Sequence, residues 1–336
     1  MRTLLAAALM CAAVAQAQDE VAMQRVEVPG EFSTEQSYRR MLRGVEEFES
    51  MRAKAPQATL RFRMYGTERE VKAATLRLAL EGESVKLPLE HDADASFALP
   101  LNEAARKEDA ALVANRRSGS VFWKPYVSTA GLAPDTRRLG DLRVQCKVTY
   151  ASGLQHSNRL LTWVLGSCGP KTPFYFLGDR EIFAVTVKAP GRERQLFGLM
   201  MPVEAAGTGK NLRSRYFHPP IEEERWPDDS LVQIHYVDSE GLPASAEGTP
   251  FDAQRAQLVA GQTRKDELPA LLARGKKRQL AQGRELWLVL ERAPAPDDAK
   301  IEAVAELALL FDADGVLRKH QVRKARVERK SLQVLD

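Results

Sequence analysis

An antiparallel sheet is the architecture that the apolar pattern of this chain favours. In residues 59–65 the apolar Leu60, Phe62 and Met64 alternate with polar neighbours, as in a strand with one buried face. Similar short runs follow at 74–80, 85–89, 97–99, 112–115, 121–127, 142–150, 160–165, 173–177 and 182–187. Turn signals about every 8 to 12 residues predict a mainly β fold, with an antiparallel β-sandwich over 57–205.

A helix precedes the sandwich. After the polar lead of the segment 18–56, apolar side chains between Ser37 and Met51 recur at steps of three and four, which predicts one amphipathic helix. Ala55-Pro56 ends it, because the residue before a proline is disfavoured in helical conformation.

A small α+β module is expected at the carboxyl end. A polar linker at 206–229 leads into residues 230–336, where a strand at 231–237 precedes a helix that Asp266 caps and Gly275 stops. Pro269 fits only in the first turn of that helix. Three further strands are predicted at 285–291, 304–311 and 316–327, and Asp312-Ala313-Asp314-Gly315 joins the last two as a hairpin.

The amino terminus has the three parts of a secretory signal. Arg2 supplies the positive start, residues 4–14 an apolar stretch, and Ala15-Gln16-Ala17 the small-x-small cleavage site. This pattern predicts that residues 1–17 are a signal peptide, that the mature chain starts at Gln18, and that the protein is periplasmic. A buried amino-terminal strand or helix is the alternative.

Neither a membrane span nor a lipid anchor is expected. The apolar stretch has about 11 residues, whereas a helix needs roughly 20 to cross a bilayer, and no later segment is longer. Cys11 lies inside the stretch with Met10 before it, where lipoprotein signals have a small residue.

Composition and charge describe a folded protein rather than a nucleic-acid binder. Apolar residues make up 44% and charged residues 28%, and roughly 319 mature residues imply two or three domains. The net charge of +4 falls to +3 when Arg2 leaves, and acidic and basic residues interleave. Only the tail is locally basic, and we interpret it as a solvated strand face, with a binding patch as the alternative: Arg318, Lys319, Arg323, Lys324, Arg326, Arg329 and Lys330.

Two cysteines remain after signal cleavage, and an oxidising compartment favours their pairing. We predict a disulfide between Cys146 and Cys168, with Cys146 facing inward from a strand at 142–150. Closing a loop of about 22 residues should stabilise the fold by roughly 3 kcal/mol, and reduction should leave the carboxyl-terminal module nearly unchanged. Two free buried thiols or a metal pair are the alternatives.

No catalytic, cofactor or metal site is predicted. The histidines are scattered at 91, 156, 218, 235 and 320, outside zinc and nucleophile motifs. His235 and Asp238 lie three apart in or next to a strand and face opposite sides. His218, Glu222 and Glu224 belong to a segment ending at 226–229 that we interpret as a solvated acidic connector. Lys210 does not complete a phosphate loop, because Asn211 replaces the required Ser or Thr.

Aromatic side chains offer a binding alternative. Trp123, Tyr126 and Trp163 lie in the predicted sandwich, and an exposed pair could stack on sugar rings. Burial in the core is the competing interpretation.

The carboxyl-terminal pattern resembles a known family. Gly261 and Thr263 open the predicted helix, which ends near Leu272 and Gly275. A strand with Trp287 follows, and a strand running into Phe311-Asp312-Ala313-Asp314-Gly315-Val316 completes the unit. Residues 250–327 thereby resemble the SmpA/OmlA family of outer-membrane assembly lipoproteins, whose fold is BamE-like.

The chain departs from that family at three features: Pro269, a long loop over 292–300, and the missing lipid-modified cysteine. Residues 57–205 in turn look like a prealbumin or immunoglobulin-type sandwich, a likeness of fold alone. Together with the signal peptide and the lack of a reactive constellation, these resemblances favour a non-catalytic periplasmic protein that acts through protein–protein contacts at the cell envelope. A glycan-binding sandwich is the alternative, and a hydrolase is a third, less favoured hypothesis.

Overall fold

The computed structural model of the protein describes residues 34–67, 70–155, 167–169, 172, 174–196, 198, 210–292 and 301–328. Antiparallel strands predominate in these residues, which confirms the mainly β class. The predicted signal with Cys11, the strand at 160–165, the loop at 293–300 and the tail from 329 lie outside the described residues. No helix in the described part is long and apolar enough to span a membrane.

Seventeen strands and five α-helices are described. The helices are α1 Tyr38–Ser50, α2 Glu103–Glu108, α3 Leu139–Ala151, α4 Asp252–Arg255 and α5 Pro269–Leu272. The strands of the first half are β1 Glu35–Ser37, β2 Ala58–Gly66, β3 Leu78–Glu81, β4 Lys86–Leu89, β5 Ser96–Phe97, β6 Ala111–Ala114, β7 Val121–Thr129 and β8 Thr136–Arg138. Those of the second half are β9 Phe176–Leu177, β10 Ile182–Ala189, β11 Arg192–Gln195, β12 Tyr216–Phe217, β13 Leu231–Tyr236, β14 Lys276–Gln279, β15 Glu285–Arg292, β16 Ile301–Phe311 and β17 Leu317–Glu328.

The amino-terminal layer packs α1 against two small sheets. Ser37 caps α1 by accepting a hydrogen bond from the backbone N–H of Arg40, as the predicted helix start requires. The sheets have the strand orders β1-β6-β3-β4 and β5-β2-β7. The predicted inward residues Phe62 and Met64 of β2 lie in their common core with Tyr38 and Met41 of α1.

The middle sheet has the order β11-β10-β13-β8 and is covered on both faces. Val185 and Val187 of β10 pack in a core with α3, whereas Phe183 and Ala184 pack against the carboxyl-terminal sheet. A register shift between residues 182 and 184 places these two neighbours in the same core.

The segment predicted as a strand at 142–150 is instead the helix α3, so that prediction was wrong. Leu142 and Cys146 pack toward the middle sheet, and Val144 and Val148 pack with α1 and β7. Asp141 in the first turn accepts hydrogen bonds from the N–H and hydroxyl groups of Thr129. Because α3 is apolar on two faces, its apolar residues alternate like those of a strand.

The carboxyl-terminal sheet is antiparallel, with the order β14-β15-β16-β17. Phe251, Leu271 and Leu272 from the region of α4 and α5 pack on one face, in a core with Val289 and Leu307. The predicted hairpin is present, and Asp312 closes it by accepting hydrogen bonds from the backbone N–H groups of residues 314 and 316. The predicted helix is only one turn long, with Pro269 at its first position, so Leu268 occupies the cap position and the predicted cap at Asp266 was wrong.

One part of the basic tail contradicts the interpretation as a solvated face. Arg323 of β17 is fully buried and forms an ion pair of 2.8 Å with the equally buried Glu306 of β16. Arg323 also donates to the carbonyl of Phe183 in the middle sheet. The guanidinium of Arg323 therefore connects the carboxyl-terminal sheet to the middle sheet instead of facing solvent.

Candidate functional site

The three aromatic residues proposed for sugar stacking have different positions. Trp123 is fully buried and meets the ring of Phe97 edge-on at 5.7 Å, so its faces lie in the core. Tyr126 is half-buried, and the guanidinium of Arg137 lies 4.3 Å from its ring centre. Trp163 lies outside the described residues. The recess beside Tyr126 has a volume of about 70 Å³, well below the roughly 300 Å³ of the smallest usual ligand sites.

The predicted disulfide is present. Cys146 and Cys168 are bonded, and their Cα atoms lie 6.1 Å apart, within the range that a bridge permits. Cys146 faces inward as predicted, but from α3 rather than from a strand. Cys168 is half-buried and borders a cleft.

This disulfide cleft is the candidate site. It has a volume of about 510 Å³, within the usual size of small-molecule sites. Four separate segments line it: the end of α1 and the following turn, the polar face of α3, the disulfide, and the loop 221–228. Its lining residues are Met51, Lys54, Arg143, Lys147, Cys168, Gly169, Ile221, Glu222, Glu224, Trp226, Pro227 and Asp228.

Arg143 fixes the loop 221–228 onto α3. Its guanidinium donates to the carbonyls of Ile221, Glu223 and Trp226, each at 2.8 Å, and pairs with the carboxylate of Asp228. Ile221 and Trp226 are buried in the core with α3. The interpretation of this segment as a solvated connector was therefore wrong at these two residues. Although the segment is rich in acidic residues, Arg143 holds its backbone against α3.

Gly140 allows the loop to approach α3 closely. Its backbone N–H donates to the carbonyl of Asp228 at 2.8 Å, and a Cβ at this position would lie 2.3 Å from the carbonyl oxygen of Lys54. A larger residue would push both walls of the cleft apart.

The charges of the cleft are mostly paired within it. Asp228 interacts with Arg143 and, at 3.7 Å, with Lys54. The ammonium group of Lys147 instead donates to the carbonyl and hydroxyl oxygens of Ser167, at 2.7 and 3.2 Å. Within the described residues, Lys147 is thus the lining cation whose hydrogen-bond partners are neutral.

His218 and Glu222 form a pair at the cleft. The Nδ1–H of His218 donates to the carbonyl of Phe174 at 2.8 Å, and its Nε2 lies 3.4 Å from a carboxylate oxygen of Glu222. Burial acts to lower the pKa of His218, but the hydrogen bonds to Glu222 and Phe174 outweigh it and raise the pKa. Burial acts to raise the pKa of Glu222, and the hydrogen bond and charge of His218 lower it below its usual value.

Two polar atoms of the cleft residues are buried without a hydrogen-bond partner in the described structure: Nε1 of Trp226 and Oε2 of Glu222. Such groups are costly in a folded protein unless a ligand or water satisfies them. They lie on residues of the same wall, one as a donor and one as an acceptor.

The other described histidines do not join the cleft. His235 lies 3.4 Å from the hydroxyl of Thr186, while Asp238, in the turn after β13, pairs with Arg180. His91 bonds to backbone carbonyls. His156 lies outside the described residues. No group of three or more His, Cys, Asp and Glu side chains in the described part could hold a metal ion.

Sequence reasoning missed Arg143, Lys147 and Met51 as site residues. One signal was available, because Arg143 and Lys147 are four residues apart and share a face of a helix. Residues four apart also share a face of a strand, so the predicted strand places Arg143 and Lys147 together, but on the side that faces away from the core. The wrong element type therefore concealed the polar wall of the cleft.

Comparison of the chain with protein-family models, with curated proteins and with solved structures finds no match.

Proposed function

We propose that the protein is a non-catalytic periplasmic protein that acts through protein–protein contacts at the cell envelope, with the disulfide cleft as its contact site. The observation that carries this proposal is the preformed recess of about 510 Å³ with walls held by a covalent bridge and by the four interactions of Arg143. A binding site held rigid before contact loses little conformational entropy when a partner binds.

The state of His218 favours binding over catalysis at this site. Because Nδ1 carries the proton donated to Phe174, a neutral ring would direct the lone pair of Nε2 toward the Glu222 carboxylate. The protonated ring removes this repulsion, in agreement with its raised pKa. An imidazolium locked to a carboxylate has no free nitrogen with which to act as a general base.

The lining residues suggest the chemistry of the partner. Met51, Ile221 and Trp226 supply apolar surface, and Lys147 supplies a cation without a carboxylate partner in the described residues. A protein segment that carries an acidic group beside an apolar side chain fits this combination.

Export and ancestry belong to the same proposal. The signal pattern at 1–17 supports a periplasmic location, and the short helices packed on a four-stranded antiparallel sheet support a BamE-like unit at the carboxyl end.

A photo-crosslinking amino acid at Glu224, an exposed residue of the cleft, tests the proposal in cells. We expect one discrete adduct, which also co-purifies in stoichiometric amount from detergent-solubilised envelopes. The same amino acid at Val259, an exposed residue of the carboxyl-terminal part, is the positional control and should not give that adduct.

Two substitutions make the test specific. Lys147→Gln should weaken the adduct, whereas Lys276→Gln on the exposed strand β14 should leave it unchanged. Absence of any adduct from Glu224, or the same adduct from Val259, would refute the proposed contact site.

A further inference from the structure

The two sulfurs of the disulfide differ in their surroundings. Cys146 is fully buried in a core with Leu139, Leu142 and Trp226. Cys168 is half-buried and lines the disulfide cleft. A reagent that enters the cleft therefore meets the Cys168 side of the bridge first, while the core shields the Cys146 side.

The backbone at Cys168 is also unusual. Its φ of +63° lies in the left-handed region, which non-glycine residues adopt only when surrounding structure imposes it. Because Cys168 is tied to α3 through the bridge, opening the bridge would allow this residue to return to an ordinary conformation.

The charge beside Cys168 suits an anionic reagent. Lys147 donates to the carbonyl and hydroxyl of Ser167, the residue next to Cys168. Two carboxylates of the cleft already have partners, since Asp228 pairs with Arg143 and a Glu222 oxygen lies 3.4 Å from Nε2 of His218. A thiolate entering here meets an ammonium group without having to displace one of these carboxylates.

We propose that the Cys146–Cys168 bridge is a site of thiol–disulfide exchange, at which a thiolate of a peptide or protein attacks Sγ of Cys168. A bond forms between the incoming sulfur and Sγ of Cys168, and the bond between the two protein sulfurs breaks. The electron pair of that bond goes to Sγ of Cys146, which takes up a proton and remains as a buried thiol. Cys168 is left in a mixed disulfide with the incoming group.

This exchange changes the cleft itself. Ser167, which holds Lys147, and Gly169, which lines the cleft, both neighbour Cys168, so loss of the link to α3 releases this wall. The exchange adds one chemical class of partner, a thiol, to the proposed contact site. It does not depend on that site, because a small thiol can react with the bridge without binding to the other walls of the cleft.

Reduced glutathione is the probe that tests the attack on the native protein. After acid quenching and denaturing alkylation, trypsin cuts at Lys147 and places the two cysteines in separate peptides for mass spectrometry. We expect glutathione on Cys168 in at least tenfold excess over Cys146. The same reaction in unfolding concentrations of denaturant is the control, in which both cysteines should carry glutathione.

Two results would overturn the proposal: glutathione on Cys146 to an equal or greater extent in the native protein, or no adduct at thiol concentrations that react readily in denaturant. Neither result depends on a protein partner. The crosslinking test of the contact site can therefore fail while the exchange succeeds, and the reverse also holds.

Lys147→Gln tests the electrostatic part, with Lys276→Gln as the matched control and an unchanged melting temperature as proof of folding. We expect the rate with anionic glutathione to fall two- to tenfold in Lys147→Gln, and the rate with cationic cysteamine to stay the same or rise. Equal changes for both thiols, or no change for either, would show that Lys147 does not guide the attack.

Discussion

At the scale of single residues, two histidines illustrate how burial and neighbouring charge act in opposite directions. Burial lowers the pKa of His235 to about 4, and the positive charges of Lys188, Arg323 and Lys319 add to this effect. His218 is also buried, but its hydrogen bonds to Glu222 and Phe174 raise its pKa. The pKa of one ring is therefore lowered, whereas that of the other is raised.

His235 should make the protein less stable in acid. Since its folded-state pKa of about 4 lies below the unfolded value of 6.5, its contribution is fully present above pH 6.5 and is lost as the pH falls toward 4. The loss should not exceed about 3.4 kcal/mol. His235→Gln should flatten the dependence of the urea midpoint on pH between 4 and 6.5.

The comparison variant His218→Gln should alter the dependence of stability on pH above 6.5 rather than below it. The raised pKa of His218 means that its contribution is present below pH 6.5 and is lost as the pH rises through the folded-state value. If His235→Gln leaves the acid slope of the wild-type protein unchanged, His235 is not held neutral in the folded state.

At the scale of elements, α3 explains where sequence reasoning succeeded and where it failed. Residues at 142 and 146 form one row of a helix, and those at 144 and 148 form another, about 200° away. A helix buried on two opposite faces therefore has the same alternation as a strand. The inward position of Cys146 could be predicted because both structures bury it, but the type of element could not.

Local signals were sufficient where one short segment determines its own structure. The helix α1, the alternation in β2 and the Asp312 turn each depend on residues close in sequence, and all three are observed. The cleft could not be predicted in this way, because Met51, Arg143, Cys168 and Trp226 come together only through tertiary packing. Their segments are individually unremarkable in hydrophobic pattern.

The ion pair between β16 and β17 gives a test at the same scale. Glu306 also accepts the backbone N–H of Gly198 at 2.7 Å, so its charge is shared between Arg323 and the backbone. Glu306→Gln leaves the guanidinium of Arg323 buried without its anion, and we expect a loss of about 3 to 5 kcal/mol in the free energy of unfolding.

The double variant Glu306→Gln/Arg323→Met is the control for this pair. Because it removes the buried cation as well, it should be more stable than Glu306→Gln alone, as chemical denaturation would measure. A double variant that is less stable than the single one would mean that Arg323 contributes mainly through its bonds to Phe183 and Leu196 rather than through its charge.

At the scale of the whole molecule, the middle sheet is the shared layer. It contacts α3 through Val185 and Val187 on one face and the carboxyl-terminal sheet through Phe183 and Ala184 on the other. Phe183 and Ala184 directly precede Val185 and Val187 on one strand, so the two cores are separated by only the thickness of β10. Independent unfolding of the two sides would expose one face of the same strand to water.

The disulfide should consequently stabilise more of the molecule than the segment it closes. On the chain-entropy view, the bridge contributes roughly 3 kcal/mol, and for one cooperative unit of roughly 319 residues its loss should lower the melting temperature by about 4 to 5 °C. The sequence pattern indicates two separate modules and therefore predicts that loss of the bridge leaves the carboxyl-terminal sheet nearly unchanged. The shared layer predicts instead that backbone amides of β16 lose protection against hydrogen exchange together with those of α3, in reduced protein and in Cys146→Ala/Cys168→Ala alike. Unchanged protection in β16 beside faster exchange in α3 would show that the two sheets unfold separately despite their common strand.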